Sequence, residues 1–127
     1  MAVGDVSIDR AQLEKAVQLA RDICGYEFAI FVGELAEGRD SAIAQHARLR
    51  DPDAAVLVAV DPVNRTMDIV TGSRARLTLG DQACEFALLA LRSSVQVGDL
   101  TGGLRSAVIL LAEHARAPRT LHLDEPA

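Results

Sequence analysis

Leu13, Ala16, Val17, Ala20, Ile23 and Cys24 recur at three- and four-residue steps, and this spacing predicts an amphipathic helix over 9–24. Asp9 stands at its N-cap with Gln12 three residues on, as in a capping box, and Ile8 and Leu13 occupy the staple positions. Gly25 ends it. The next apolar run, Phe28-Ala29-Ile30-Phe31-Val32, has no polar alternation, so it predicts a strand buried on both faces. A shorter helix follows over 39–49, with Asp40 or Ser41 as its cap and Asp51-Pro52 as its stop. Ala54 to Val60 is a second wholly apolar strand. Two buried strands joined by a helical connection make a βαβ unit, with parallel strands and a right-handed crossover.

Asp61-Pro62-Val63-Asn64-Arg65 reads as a tight turn, with Pro62 at the second position and Asn64 as the residue that tolerates positive φ. Thr66 to Thr71 alternates, Met67 and Ile69 on one face and Thr66 and Asp68 on the other, which predicts a half-buried antiparallel edge strand. Gly72 to Gly80 is a polar loop. Asp81 begins a helix over 82–97, and Asp99 begins one over 100–116 that Ala117-Pro118 ends. Thr120 to Leu123 alternates as a short strand would, but a frayed tail is the favoured reading. The fold class is therefore α/β: a three-layer sandwich of about four helices around a small mixed sheet, made of the parallel βαβ pair and an antiparallel edge strand. It is a single domain over 1–127, with its core at about 8–116 and a tail at 117–127.

The joint between the last two helices is the densest motif. In Gly98-Asp99-Leu100-Thr101-Gly102-Gly103-Leu104, Gly98 fits a left-handed helix end and Asp99 fits the next N-cap. Gly102 and Gly103 fall in the first turn, where glycine lowers helix stability, so a close backbone approach is expected there.

Composition narrows the function classes. Half the residues are apolar but only 3% are aromatic and none is Trp, so the core is built from Ala, Val, Leu and Ile. A net charge of -5 argues against nucleic acid and against an anionic membrane surface as partners. The apolar runs fall far short of the ~20 residues of a spanning helix, so no transmembrane segment is expected. The start Met-Ala-Val-Gly-Asp has no basic segment and no apolar one, which favours a cytoplasmic protein with Cys24 and Cys84 reduced.

Glu34 and Asp61 both follow parallel strands, at the carboxyl edge where α/β domains place ligands. With Asp99 they are the candidate oxygen ligands for calcium or magnesium. A solvated Glu34 and a turn-forming Asp61 are favoured over that, because a cation site needs more ligands. Ser73, Arg74 and Arg76 after Gly72 are the candidate anion-binding set, weighed against a solvated basic loop. Cys84 near a helix start reads as a buried structural thiol, and His46 as a boundary residue. There is no nucleophile elbow, phosphate-binding loop or paired-cysteine motif, so no catalytic residue is assigned.

The chain resembles the TPM domain from about Ile8 to Ala115. The shared features are Cys24-Gly25-Tyr26-Glu27-Phe28-Ala29-Ile30 at the first helix–strand junction, the acid before the second strand in Asp53-Ala54-Ala55-Val56-Leu57-Val58-Ala59-Val60, and Met67-Asp68-Ile69-Val70-Thr71-Gly72. The acidic knuckle at Gly98-Asp99 is the fourth. With Cys84 in its helix, that knuckle is similar to a small actinobacterial branch of unassigned function. Gly72-Ser73-Arg74-Ala75-Arg76 stands where larger members carry Gly-Tyr-Gly, and Ala54-Ala55 stands where they carry Asn-Gly. Those loops hold the divalent-metal and phosphatase site attributed to some members, and only Asp53 and Asp99 carry over in type. The resemblance then implies a non-catalytic intracellular module without a cofactor, acting through an unidentified protein partner in an envelope-related role. The alternative is a weak divalent-metal-dependent phosphatase, or a metal- or phosphate-binding domain, using Asp61, Asp99 and the Arg74/Arg76 loop.

Overall fold

The computed structural model describes residues 8–124, and side chains through residue 116. The elements run α1 (Arg10–Cys24), β1 (Glu27–Val32), α2 (Arg39–Ala47), β2 (Ala55–Asp61), β3 (Thr66–Thr71), α3 (Asp81–Gln96) and α4 (Leu100–Asp124). Short 3-10 turns at Pro52–Ala54 and Ala75–Leu77 link them. The sheet order is β1-β2-β3, with β1 parallel to β2 and β3 antiparallel to it, as the run of two apolar strands and one alternating strand predicts.

The alternation of side chains across the sheet makes two cores. Phe28, Val56, Val58, Val60 and Ile69 face one way, against Leu13 and Ala20 of α1, Leu91 of α3 and Leu104, Val108 and Leu111 of α4. Leu57, Ala59 and Val70 face the other way, against Leu35 of the β1–α2 loop and Ala42 of α2. The layers are thus α1, α4 and α3, then the sheet, then α2 alone. β2 is buried along its whole length because it is central and covered on both faces.

Four local expectations are corrected. β1 is not buried on both faces: only Phe28 is buried and the remaining residues are half-buried or exposed, because β1 is an edge strand with β2 on one side only. α2 is capped by neither Asp40 nor Ser41. Gly38, at φ +60, precedes it, and Ser41 Oγ instead accepts the Glu37 N–H at 2.8 Å. The positive φ of the β2–β3 turn falls on Arg65, at +57°, and not on Asn64, whose backbone N–H and side-chain amide both donate to Asp61. Finally, α4 continues through Ala117-Pro118 to Asp124. Pro118 removes one N–H from the helix ladder, but a helix can tolerate that single loss when the residues beyond it keep helical geometry.

α1 and the knuckle keep the caps their sequences suggest. Asp9 Oδ1 accepts the Gln12 N–H at 3.1 Å, and Gly25 ends α1 at φ +88. Gly98 has φ +82, and Asp99 Oδ1 accepts the Gly102 N–H at 2.9 Å. The Asp9 N–H donates to Thr101 Oγ1 at 3.1 Å, which ties the heads of α1 and α4 together.

Candidate functional site

Asp61 is the last residue of β2 and has no exposed surface. Its Oδ1 accepts the N–H groups of Val63 at 3.0 Å and Asn64 at 3.1 Å, which closes the β2–β3 turn on the carboxylate. Its Oδ2 accepts the Leu35 N–H at 2.9 Å and the Asn64 Nδ2 at 2.8 Å. One buried carboxylate therefore joins the β2–β3 turn to the β1–α2 loop. The Leu35 N–H, then the Asn64 N–H, hold its pKa below the ordinary carboxylate value, against the opposing effect of burial. Asp61 is thus an anion whose oxygens are already occupied by four donors of the chain itself.

The other candidate cation ligands do not gather around it. Glu34 adjoins the Leu35 amide in the chain but is itself exposed. Asp99 is exposed at the α3–α4 joint, and its carboxylate caps α4. Among the described residues, no three of the His, Cys, Asp and Glu side chains are grouped so as to hold a metal ion.

Ser73, Arg74 and Arg76 are all exposed on the loop after β3. Backbone contacts shape that loop: the Gly72 N–H donates to Ala55 O and the Arg74 N–H to Asp53 O, both at 2.9 Å. A side chain at Gly72 would run into the carbonyl oxygen of Pro52, so glycine is required there for close approach. Arg76 spends an Nη2 donor on Thr71 O at 3.3 Å. The loop presents cationic side chains, but its shape is explained by its packing on residues 52–55.

The two knuckle glycines have separate neighbours. A Cβ at Gly103 would lie 2.7 Å from Ser94 Cβ and 3.0 Å from Leu91 Cδ1, so the close approach expected there is to α3. A Cβ at Gly102 would instead overlap the Asp99 carboxylate. His46 is buried rather than at a boundary, with Nε2 3.0 Å from Ala55 O, because α2 lies directly over β2. Cys84 is half-buried rather than buried, and burial first and Asp81 second push its thiol above its ordinary value.

Sequence reasoning missed several groups. Tyr26 shares a 3.0 Å hydrogen bond with Thr78, 52 residues away, and pins the loop after β3 to the start of β1. Arg39 reaches across from α2 to Asp68 at 3.0 Å and Ile69 O at 3.3 Å. Phe86 and Leu89 stand 59% and 56% exposed on the outer side of α3. That last feature had a signal, since α3 carries apolar residues around most of its circumference and only one side faces the core.

A family model for a domain of unknown function, DUF5130, matches residues 6–112. The chain belongs to this family. Two similar proteins of Mycobacterium tuberculosis, the uncharacterised Rv2468c of strain H37Rv and the uncharacterised MT2543 of strain CDC 1551, are each 33% identical over 107 residues. The match covers 82% of this chain and 63% of each relative, so the DUF5130 chain spans less than two thirds of their length. The fold is similar to the NMR structure of the BA42 protein from the psychrophilic bacterium Bizionia argentinensis, with a TM-score of 0.72 at 17% identity over 93% of this chain and 87% of that one. No helix among the described residues is long and apolar enough to cross a membrane.

Proposed function

We propose that this DUF5130 domain is a non-catalytic, TPM-like module that acts through a protein partner. The observation that carries the reading is the state of Asp61. Among the described residues it is the one buried acid at the carboxyl edge of the sheet, and its four hydrogen-bond donors all come from the chain. A cation would have to displace those donors, and among the described residues no three His, Cys, Asp or Glu side chains gather to hold one. The exposed Phe86 and Leu89 support a role in protein contact, since exposed apolar side chains that are adjacent on one helix face favour burial against a partner.

The competing reading is a weak divalent-metal-dependent phosphatase built on Asp61, Asp99 and the Arg74/Arg76 loop. Titration of the protein with calcium, then magnesium, followed by amide NMR shifts, separates the two. The interaction reading expects no saturable shifts at Leu35, Val63, Asn64 or Gly102, and no hydrolysis of a generic phosphomonoester above buffer. Saturable shifts confined to those amides, together with hydrolysis that Asp61→Asn abolishes, would establish the phosphatase instead.

A further inference from the structure

The open edge of β1 combines with the outer side of α1 into a self-complementary surface, and we propose that it pairs with a second copy of this chain. Among the described residues β1 is hydrogen-bonded to β2 alone. The Gly33 N–H donates to Val60 O at 3.0 Å, so Gly33 faces β2. Because alternate residues of a strand turn their backbone groups to opposite sides, Phe31 and Ala29 face β2 as well. Phe28, Ile30 and Val32 therefore turn both N–H and C=O to the open side. Natural edge strands are blunted by charged side chains, by proline or by a bulge. In Glu27-Phe28-Ala29-Ile30-Phe31-Val32 the one charge is Glu27 at the start of the strand, and Phe28 to Val32 carry no charge, proline or bulge and stay in regular register with β2.

The edge is also self-complementary in register. An antiparallel two-fold pairing centred on Ile30 sets Ile30 against Ile30 of the second copy, and Phe28 against its Val32. Each of these opposed pairs consists of outward-facing backbone groups, which is the hydrogen-bonded arrangement of an antiparallel ladder. Each pair also lies on the core-side face of both sheets, so no side chain changes face. The product is a continuous six-stranded sheet.

Charge on α1 selects the same partner. A groove of about 870 Å³ runs between α1 and β1, bordered by Lys15, Gln18, Leu19 and Asp22 as well as Phe28 and Ile30. Lys15, Leu19 and Asp22 follow one another at steps of four and three, so they form one stripe on α1. Leu19 is 46% exposed at its centre. The two-fold axis through Ile30 sets the α1 helices of the two copies antiparallel. Lys15 then meets Asp22 of the second copy, Asp22 meets its Lys15, and Leu19 fills the seam. A two-fold interface needs the same patch to be complementary to itself, and a stripe with opposite charges at its ends and an apolar centre meets that condition.

Sedimentation equilibrium combined with amide exchange tests the pairing. The wild type is expected to dimerise. Exchange at Phe28, Ile30 and Val32 should slow as concentration rises, while Ala29 and Phe31 stay protected at every concentration. Lys15→Glu and Asp22→Lys each replace two attractions by two repulsions and should each weaken the dimer about tenfold. Both positions are exposed, so thermal unfolding of the monomer should be unchanged. The double variant Lys15→Glu/Asp22→Lys restores opposite charges and should recover most of the affinity. A wild type that stays monomeric, as it would if another segment or a different partner covered the edge, overturns the proposal. So does a dimer indifferent to both single variants, or a double variant as weak as either single one.

Discussion

Asp61 at the close of β2 and Asp99 at the head of α4 each stand at the boundary of a structural element and accept backbone N–H groups from the residues that follow. Asp99 is exposed and serves only its own helix. Asp61 is sealed from solvent and also reaches Leu35, 26 residues away on another connection. Their local chemistry is the same, while their environments and reach are different. An exposed cap contributes about 1 kcal/mol, because water stands ready to replace it. Asp61 is worth more, because the Leu35 amide it satisfies is buried and has no water to replace the lost acceptor. An acid at a ligand-prone sheet edge is therefore not by position alone a ligand: its donors must first be counted.

The largest expected effect follows from that contrast. Asp61→Ala leaves the buried Leu35 amide without its acceptor and opens the β2–β3 turn, and it should destabilise the protein by about 3 kcal/mol, read as a shift in denaturant midpoint. Asp61→Asn keeps the shape but turns an NH₂ group toward a donor, and a loss of about 1–3 kcal/mol is expected. An Asp61→Ala protein within ~0.5 kcal/mol of wild type would mean that the bridge to Leu35 contributes little.

The knuckle glycines carry effects of intermediate size. At Gly103 the new methyl meets Ser94 and Leu91 on the neighbouring helix, so Gly103→Ala should lose about 1–3 kcal/mol as α3 and α4 are forced apart. At Gly102 the obstacle is the Asp99 carboxylate, which can rotate away. The lost cap and the helix-propensity gain of Gly→Ala, each about 1 kcal/mol, then nearly cancel. Equal damage at the two positions, measured by thermal unfolding, would show that they share one constraint.

The smallest effects belong to Asp99. Asp99→Ala should lose about 1 kcal/mol and Asp99→Asn only a few tenths, since asparagine caps about as well. Equal losses for these two variants in a urea titration would show that the charge itself is needed, and the contrast with Asp61 would fail.

The parts of this fold that rest on short-range pattern were legible. The periodicities placed seven elements, and Asp9, Gly25, Gly98 and Asp99 marked helix ends through bonds made within a few residues. What escaped depends on contacts made across the fold. The half-exposed state of β1 follows from sheet order, because an apolar run reads alike in a central and an edge strand. The Leu35–Asp61, Tyr26–Thr78 and Arg39–Asp68 bonds join residues 26 to 52 positions apart, and no local spacing encodes them. The turn role of Asp61 was readable from Asp61-Pro62-Val63-Asn64. Its burial was not, since that requires the β1–α2 loop to fold over it.

The lowered pKa of Asp61 carries a definite sign. A carboxyl held below its unfolded value adds stability that is fully present above the ordinary carboxylate range and is lost as pH falls through the folded value. The difference in stability between wild type and Asp61→Asn should therefore stay constant from neutral pH down to near 3.8 and shrink below it. The side-chain carboxyl carbon of Asp61, followed by ¹³C NMR as pH is lowered, reads the structural role of this carboxylate without a substitution. An internally satisfied carboxylate titrates below 3.8, and its midpoint is unmoved by added calcium. A midpoint at or above that value, or one that calcium drives down in a saturable way, would contradict the assignment of Asp61 as a structural link.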